Sequence, residues 1–522
     1  MFALGLHPVF AQQKLPRAGR DFTFGIIEGP DNLPNAPASM IVMTVLSPYS
    51  GSGSVVSPQG FSQQFTFSSN VADTIVLPDT LMHLNDLGKT NKGLIVHTSV
   101  PVNIVLHDYA VAAGDATQIL PDDALDTSYT VSAWGLYNDP QENNHCEFIV
   151  TAKHEGTFVQ ITPSVTTMLG QPANVPFTVS LNPGECYIVK ADISVDSITS
   201  LSGSTVSSSA PVSVIAGTTC GYVPLGVESC NELMDELIGK KWWGNHFFVQ
   251  PLSSLDSIIE LVVTSDQNFS ATINGAPTPS NGNRLQAELT GPNEIVTTAP
   301  AEVQQLTRGS TVAGRGVSDP TLVTILDVSE YADTLMFNSP DFNNSGFQHW
   351  TPIIFPTSEA SAILLDGLAL SSYPDPSTVI NGGSMSAIAP NIGAGVHTIF
   401  SPVPVFALAT GFATADAYSF IAGTVRSPQD TITQTVVSST PVPNVELSVS
   451  VFPNPVTDHV TIAANEPLSS IQLIDPLGRI LKTVLHPFAT TTLDVKNVVA
   501  GSYFILATAR DRTIPAQITI IR

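Results

Sequence analysis

Gly203-Ser204-Thr205-Val206-Ser207-Ser208-Ser209-Ala210-Pro211-Val212-Ser213-Val214 reads as a strand, a Ser/Pro turn and a second apolar strand. The same order recurs at Gly93-Leu94-Ile95-Val96-His97-Thr98-Ser99-Val100-Pro101-Val102 and at Gly395-Val396-His397-Thr398-Ile399-Phe400-Ser401-Pro402-Val403-Pro404-Val405. A further copy is read at Gly309-Ser310-Thr311-Val312, running on to Asp319-Pro320-Thr321-Leu322-Val323. The copies stand about 85 to 110 residues apart. A propeller blade needs roughly 40 to 50 residues, whereas one small β-sandwich fills the observed interval. Several sandwich units packed in series are therefore expected.

Period-two runs extend outward from these copies, from Phe22 to Gly423, as in Glu147-Phe148-Ile149-Val150-Thr151-Ala152 and Phe177-Thr178-Val179-Ser180-Leu181. Alternation bounded by Gly, Pro, Asn or Asp marks half-buried strands. One stretch, Asn231 to Ile238, reads as a helix, because Leu233, Met234, Leu237 and Ile238 would share a face at a spacing of 3.6. The expected fold is all-β, with tandem Ig-like β-sandwich units, one short helix and a small C-terminal β-sandwich. Four segments follow: 1–21 as a signal-peptide remnant and N-terminal segment, 22–424 as the repeat region, 425–446 as a linker rich in Ser, Thr and Pro, and 447–522 as a separate terminal unit.

The formal charge is 19 − 44 = −25, yet only 12% of the 522 residues are charged. Such a balance repels phosphate backbones, and no basic cluster reverses it locally, so nucleic acid is excluded as a partner. No apolar run approaches the roughly 20 residues of a spanning helix. At the start, Phe2 to Leu6 is apolar and Val9-Phe10-Ala11 ends on a small residue, as in an export signal without its basic n-region; the alternative is an ordinary N-terminus.

Cys146, Cys186, Cys220 and Cys230 allow three pairings, and none forms the tight pair that zinc prefers. Cys220 and Cys230 bracket a loop with Gly221, Pro224 and Gly226, so a bridge there would cyclise it, leaving Cys146 with Cys186 by elimination. Buried free thiols are the alternative.

The terminal unit carries Val451-Phe452-Pro453-Asn454-Pro455-Val456-Thr457-Asp458, then Ile471-Gln472-Leu473-Ile474-Asp475-Pro476-Leu477-Gly478-Arg479, then Leu493-Asp494-Val495 and Gly501-Ser502-Tyr503-Phe504-Ile505. In order, spacing and position these blocks resemble the type IX secretion C-terminal sorting domain of Bacteroidetes. Pro453, Asn454, Pro455, Asp475, Gly478 and Gly501 carry the motif. The resemblance implies handling by the type IX secretion machinery, removal of the tail, and release or attachment to surface lipopolysaccharide, hence a secreted or outer-surface location.

Residues 22 to 424 resemble the N-terminal domain of IgGFc-binding proteins. The resemblance rests on Cys220-Gly221-Tyr222-Val223-Pro224 with Cys230-Asn231-Glu232-Leu233, on Trp243-Gly244-Asn245-His246-Phe247-Phe248-Val249-Gln250-Pro251-Leu252, on Ser318-Asp319-Pro320, and on Gly411-Phe412 with Ala417-Tyr418-Ser419-Phe420-Ile421-Ala422-Gly423. Asn231-Glu232 stands where the family shows an Asp-His type pair, which argues against a polar role there. The resemblance implies a non-catalytic extracellular β module for adhesion or matrix building.

No nucleophile elbow, zinc helix, phosphate loop or dinucleotide fingerprint occurs, so neither a catalytic residue, a cofactor nor a metal is assigned. The densest acidic group, Asp122, Asp123 and Asp126, reads as a solvated loop, with too few oxygens at fixed offsets for calcium. Trp242 and Trp243, and further on Trp350, are the aromatics suited to a sugar ring or a protein hot spot; plugging a core is the other use of such rings. Asp-Ser/Thr followed by an apolar residue recurs at Thr74, Thr80, Ser197, Ser257, Thr334 and Thr431, and resembles the O-glycosylation signal of Bacteroidetes exported proteins. The functional expectation is a cell-surface binding or adhesion protein for a host or matrix glycoprotein or glycan. A structural surface component is the alternative, followed by a carbohydrate-active enzyme whose scattered carboxylates converge.

Overall fold

The computed structural model describes residues 14–29, 40–83, 85–110, 113–137, 144–194, 198–225, 230–309, 319–341, 346–414, 416–427, 449–464, 468, 470–475, 480–485, 490–509 and 512–522. The chain divides into two compact units, Met1–Thr431 and Ile432–Arg522.

In the larger unit one seven-strand plan occurs four times, and its first copy shows the logic. The strand Leu94–Ala110 pairs through its first half with Gly19–Phe24 and Gly51–Val56, and through its second half with Met40–Leu46 and Ala113–Ile119. Ser62–Phe67 and Ala72–Leu77 add the two edges. One long strand thus serves both sheets of a sandwich, which closes over Phe22, Phe24, Val45, Val96 and Ile104. Thr205–Tyr222, Asn293–Leu306 and Gly395–Ala413 are the long strands of the second, third and fourth copies.

The Ser/Pro turn is where each long strand changes sheets. Proline has no N–H to give a ladder, and the pairing register shifts beside Pro101, Pro211, Pro300 and Pro404. The carbonyl freed at the bend is taken up locally. The hydroxyls of Thr98, Ser208 and Thr297 donate to the carbonyls of Val100, Ala210 and Ala299, at 2.8, 2.7 and 2.8 Å. In the fourth copy the Ser401 hydroxyl instead accepts from Val403 N at 3.3 Å.

Several expectations change. The third copy is centred on Thr297-Thr298-Ala299-Pro300 and not on Gly309 to Val323, a stretch of like composition whose residues 310–318 lie outside the described residues. The expected helix is the strand Cys230–Glu236, and residues 231–238 are all buried. A strand covered on both faces loses its alternation, and Leu233, Met234, Leu237 and Ile238 then imitate a helical stripe. Among the described residues the only helical turns are short 3-10 segments such as Lys240–Trp242. The fold also takes in residues ahead of Phe22. Leu15 and Ala18 are buried, and the buried Arg17 guanidinium donates to the Ala422 carbonyl at 2.9 Å.

Cys220 and Cys230 are bridged, but Cys146 and Cys186 are buried thiols. Their strands are antiparallel neighbours in which Cys186 lies opposite Thr151 and Glu147 lies opposite Lys190. The two sulfurs therefore sit at opposite ends of the pair, about five residues or roughly 17 Å apart, beyond the reach of a disulfide. Burial pushes the thiols up to about 11 for Cys146 and about 12 for Cys186, so neither offers a thiolate at neutral pH. Thiol titration without reductant is accordingly expected to find no reactive cysteine in the native chain and two in denaturant; four in denaturant would remove the bridge, and none would restore the second one.

In the smaller unit, Val449–Phe452, His459–Ala464 and Thr490–Asp494 form one sheet, and Ser470–Ile474, Ile480–Leu485, Gly501–Ala509 and Arg512–Ile520 the other. They enclose Val460, Ile462, Leu473, Ile505 and Ile518.

Candidate functional site

The four sandwiches are not strung in a line. Their final strands, Ala113–Ile119, Cys230–Glu236, Leu322–Ile325 and Asp416–Ile421, meet in a closed ring: the first lies against the second and fourth, and the third against the same two. A strand in this ring faces another unit where it would otherwise face water, so its polar side chains must find partners inside the protein.

Asp115 accepts from Ala116 N at 2.9 Å, Thr321 Oγ1 at 2.7 Å, and Met234 N and Leu322 N at 3.2 Å each, tying the first unit to the second and third. Asp235 accepts from the Thr117 hydroxyl at 3.0 Å and the Thr324 hydroxyl at 2.6 Å. Asn231 Oδ1 accepts from Gly114 N at 2.7 Å, while its Nδ2 donates to the carbonyls of Gly114 and Pro320 at 2.7 and 2.8 Å. Position 231 is thus a polar hinge point between three units, against the expectation of no polar role. Glu236 accepts from Leu120 N and the Ser213 hydroxyl, both at 2.6 Å.

Glu232, Asp108 and Asp416 add further carboxyl groups, each at most 4% exposed. Burial, then the neighbouring Asp108 with which it shares a hydrogen bond, pushes Glu232 well above the carboxylate range. Burial, then Asp319, does the same to Asp416. Among the described residues no three His, Cys, Asp or Glu side chains are placed to hold a metal ion. Nor is this convergence of carboxyls open to a polysaccharide, since Asp108, Asp115, Glu232, Asp235, Asp319 and Asp416 are each no more than 6% exposed.

The starts of the four final strands lie at one end of the ring, since Asn231 bonds Gly114 and Pro320 there, Thr321 donates to Asp115, and a Cβ on Gly114 would come within 3.3 Å of Asp416 Oδ1. The chain leading into these strands is described up to Ala110, Leu225, Gly309 and Thr414; the connections that follow include residues 111–112, 226–229, 310–318 and 415, which lie outside the described residues. The Cys220–Cys230 bridge ties the base of the second hairpin, its Tyr222 carbonyl accepts from Trp134 Nε1 at 2.6 Å, and its Val223 carbonyl accepts from Gly309 N at 2.9 Å. Val223 is buried with Trp134, Leu233 and Leu322, and Tyr222, Pro224, Leu225 and Cys230 are half-buried around it. The bridge and this small core hold the hairpin base in one geometry.

The residues singled out from sequence fall elsewhere. Trp242 and Trp243 follow the second sandwich and pack against the core of the third. Their Nε1 atoms donate to the carbonyls of Ala124 at 2.6 Å and Ile238 at 2.9 Å, and Lys241 and Lys240 lie over their rings at 5.0 and 5.9 Å. Trp350 is buried against Phe412. The acidic group after Pro121 is partnered and not freely solvated: Asp122 is buried beside Lys153 at 3.1 Å, Asp123 meets Arg426 at 2.8 Å, and Asp126 accepts from Lys241 N at 2.9 Å. Thr74, Thr80 and Ser257 are exposed and Thr334 is half-buried, while Ser197 and Thr431 lie outside the described residues. In the terminal unit the Asn454 side chain donates to the Gln517 carbonyl and accepts from Thr519 N, both at 2.9 Å, which ties the Pro453-Asn454-Pro455 entry to the last strand. Asp475 is buried, Gly501 takes a φ of 158°, and Gly478 lies outside the described residues.

Four sandwiches sharing a buried polar ring, followed by a seven-stranded terminal sandwich, define a repeat-built β protein with a separate tail. Residues 115–411 match the family described as IgGFc binding protein, and residues 450–521 match the secretion system C-terminal sorting domain. The first match covers more than half of the chain, and the chain belongs to the IgGFc-binding protein family. The second makes it a secreted or outer-surface protein handled by type IX secretion. No helix among the described residues is long and apolar enough to cross a membrane. The IgGFc-binding protein of Homo sapiens is 27% identical over 351 residues, which are 64% of this chain but 6% of that protein. Among solved structures, dimeric latent PorU from Porphyromonas gingivalis aligns at 11% identity with a TM-score of 0.13, over 59% of this chain and 31% of that one. A tetra-tandem repeat from the extending region of a large adhesion protein aligns at 12% identity with a TM-score of 0.12, over 81% and 96%. At these scores neither describes the present fold.

Proposed function

We propose that the chain is a surface-held binding protein that recognises a host or matrix glycoprotein or glycan through the hairpin end of its four-sandwich ring, without catalysis. The observation that carries this reading is the meeting of the four strand starts on a base stiffened by the Cys220–Cys230 bridge and by buried hydrogen bonds. A base gathered from several units and fixed before binding reduces the conformational entropy lost when a partner arrives. In this proposal the tail directs export and attachment to surface lipopolysaccharide, and the exposed hydroxyls of Thr74, Thr80 and Ser257 are open to glycan.

The test is binding of the intact chain to immobilised immunoglobulin Fc, mucin and a glycan array, with a mildly reduced sample alongside. Saturable binding is expected, weakened at least tenfold on reduction while the far-ultraviolet β signal persists. A ten-residue separation closed by the bridge is worth about 3 kcal/mol to a hairpin, enough to loosen the site without unfolding four sandwiches. Trp242→Ala is expected to leave binding intact; its loss there would move the contact to the Trp242–Trp243 pair. Absence of binding to every probe at micromolar protein, with self-association instead, would replace recognition by a structural surface role.

A further inference from the structure

One basic side chain is buried beside the ring, among carboxyl groups. Lys190, 1% exposed, ends the strand Cys186–Lys190 directly across from Glu147, which is 0% exposed. Glu28, also 0% exposed, arrives from the segment that follows the strand Gly19–Phe24. Lys190 Nζ lies in contact with Glu28 Oε2, and 3.5 Å from Glu147 Oε2. Glu147 Oε1 in turn accepts from Glu28 N at 2.6 Å, and Asn85 N approaches Glu28 Oε2 at 3.3 Å. The amine, the acceptor carboxyl and a second carboxyl are thus held together by three separate stretches of chain.

A permanently charged version of this triad would bury one cation with two anions, an arrangement whose desolvation cost exceeds what the pairing returns. Burial acts on both partners in the same sense. It lowers the Lys190 ammonium to about 8 and pushes Glu147 well above the carboxylate range. Transfer of the ammonium proton to one carboxylate, with one further proton taken up from solvent, leaves a neutral amine beside two neutral carboxyl groups. In water the ionisation of acid and amine opposes amide formation; in this dry, preoriented setting that opposition is gone and the reactants are already in contact.

The geometry points to an intramolecular isopeptide bond between Lys190 Nζ and Glu28 Cδ, formed with Glu147 as the proton carrier. The Nζ lone pair adds to Cδ of the neutral Glu28 carboxyl. Glu147 accepts a proton from the attacking nitrogen and delivers one to the departing hydroxyl, which leaves as water. One C–N bond forms, one C–O bond breaks, a single water is released, and no electron is gained or lost. The product joins the segment between the first two strands of the first sandwich to the middle of the second with a covalent tie that reduction does not open.

The experiment is peptide mapping of the full-length chain, reduced and digested with trypsin. A branched product is expected, in which peptide 21–89 is joined to peptide 154–240 without cleavage after Lys190, one water lighter than the two together. Fragmentation should place the branch at Glu28. Glu147→Gln, which keeps the shape of the site and removes the proton carrier, is expected to give separate peptides at full mass, with cleavage after Lys190. Separate full-mass peptides from the unaltered chain would overturn the bond, and that readout stands whether or not the variant folds. A branch located at Glu147 would overturn the choice of acceptor, and a branched Glu147→Gln chain would overturn the role given to Glu147.

Discussion

Asp115→Ala is expected to lower the unfolding free energy of the four-sandwich region by about 3–5 kcal/mol, among the largest effects of any single substitution in the chain. The carboxyl group receives two backbone N–H groups and a hydroxyl from other units, Met234 N, Leu322 N and Thr321 Oγ1, besides Ala116 N of its own strand. Alanine leaves these donors facing a space where the native side chain is 0% exposed. Each stranded donor costs roughly 1–3 kcal/mol, and partial collapse of the site recovers some of the sum. Because the donors come from three sandwiches, the loss should also uncouple them, so that the urea transition broadens as well as moves. Lys89→Ala is the control. Its ion pair with Glu185, at 2.7 Å with a 44% exposed lysine, lies at the surface and is expected to cost no more than about 1 kcal/mol. If Asp115→Ala shifts the transition no further than Lys89→Ala, the ring is not held by this group.

How far the ring could be read from sequence follows from the same geometry. The sandwich class was legible because most strands have one wet face: in Thr157–Thr162, Phe158 and Gln160 are exposed while Val159 and Ile161 are buried. The Ser/Pro turn was legible as a repeat because a sheet-switching strand needs a residue without an N–H at the bend, although similar composition near Gly309 displaced the third copy. The terminal domain was legible because Pro453-Asn454-Pro455 acts locally. Asp115, the strand Asn231-Glu232 to Asp235, Thr321 and Asp416 were not assembled, since they come from four different hairpins and only the fold brings them together. A signal was present all the same. Gly114-Asp115, Asn231-Glu232, Asp319-Pro320-Thr321 and Asp416 each set a polar group at the start of a final strand whose continuation is largely apolar or small. A carboxyl in that position needs a buried partner, and four such positions in register imply that the partners are one another.

The second large effect is an inverted dependence of stability on pH. For a carboxyl raised above its unfolded value, the folded chain holds protons that the unfolded chain has released, so stability is full below the unfolded value near 4.3 and declines as pH rises towards the folded value. Burial, opposed in part by the hydrogen bonds of Ser213 and Leu120, raises Glu236 to about 8, and burial raises Asp235 to about 6. Glu232, Asp416 and Glu302 move in the same direction, each mainly through burial. The window of loss therefore runs from about pH 4.3 to about pH 8. Three histidines bound it from the other side. Burial lowers His83 and His349 to about 4 and His107 to about 3, so as pH falls below about 6.5 the unfolded chain takes up protons that the folded chain refuses, and stability declines. Because five carboxyls lose stability above about 4.3 while three histidines regain it only up to about 6.5, thermal unfolding is expected to peak between about pH 4 and 5, with the fold on the order of 3 kcal/mol less stable at pH 8.5. General repulsion from a charge of −25 adds to the alkaline decline, but salt screens it and does not reach the buried groups. The alkaline limb should therefore survive 0.5 M salt, roughly enough to shorten the Debye length below 5 Å, and flatten in Glu236→Gln. A limb abolished by salt and unchanged in that variant would assign the decline to surface charge instead of the ring.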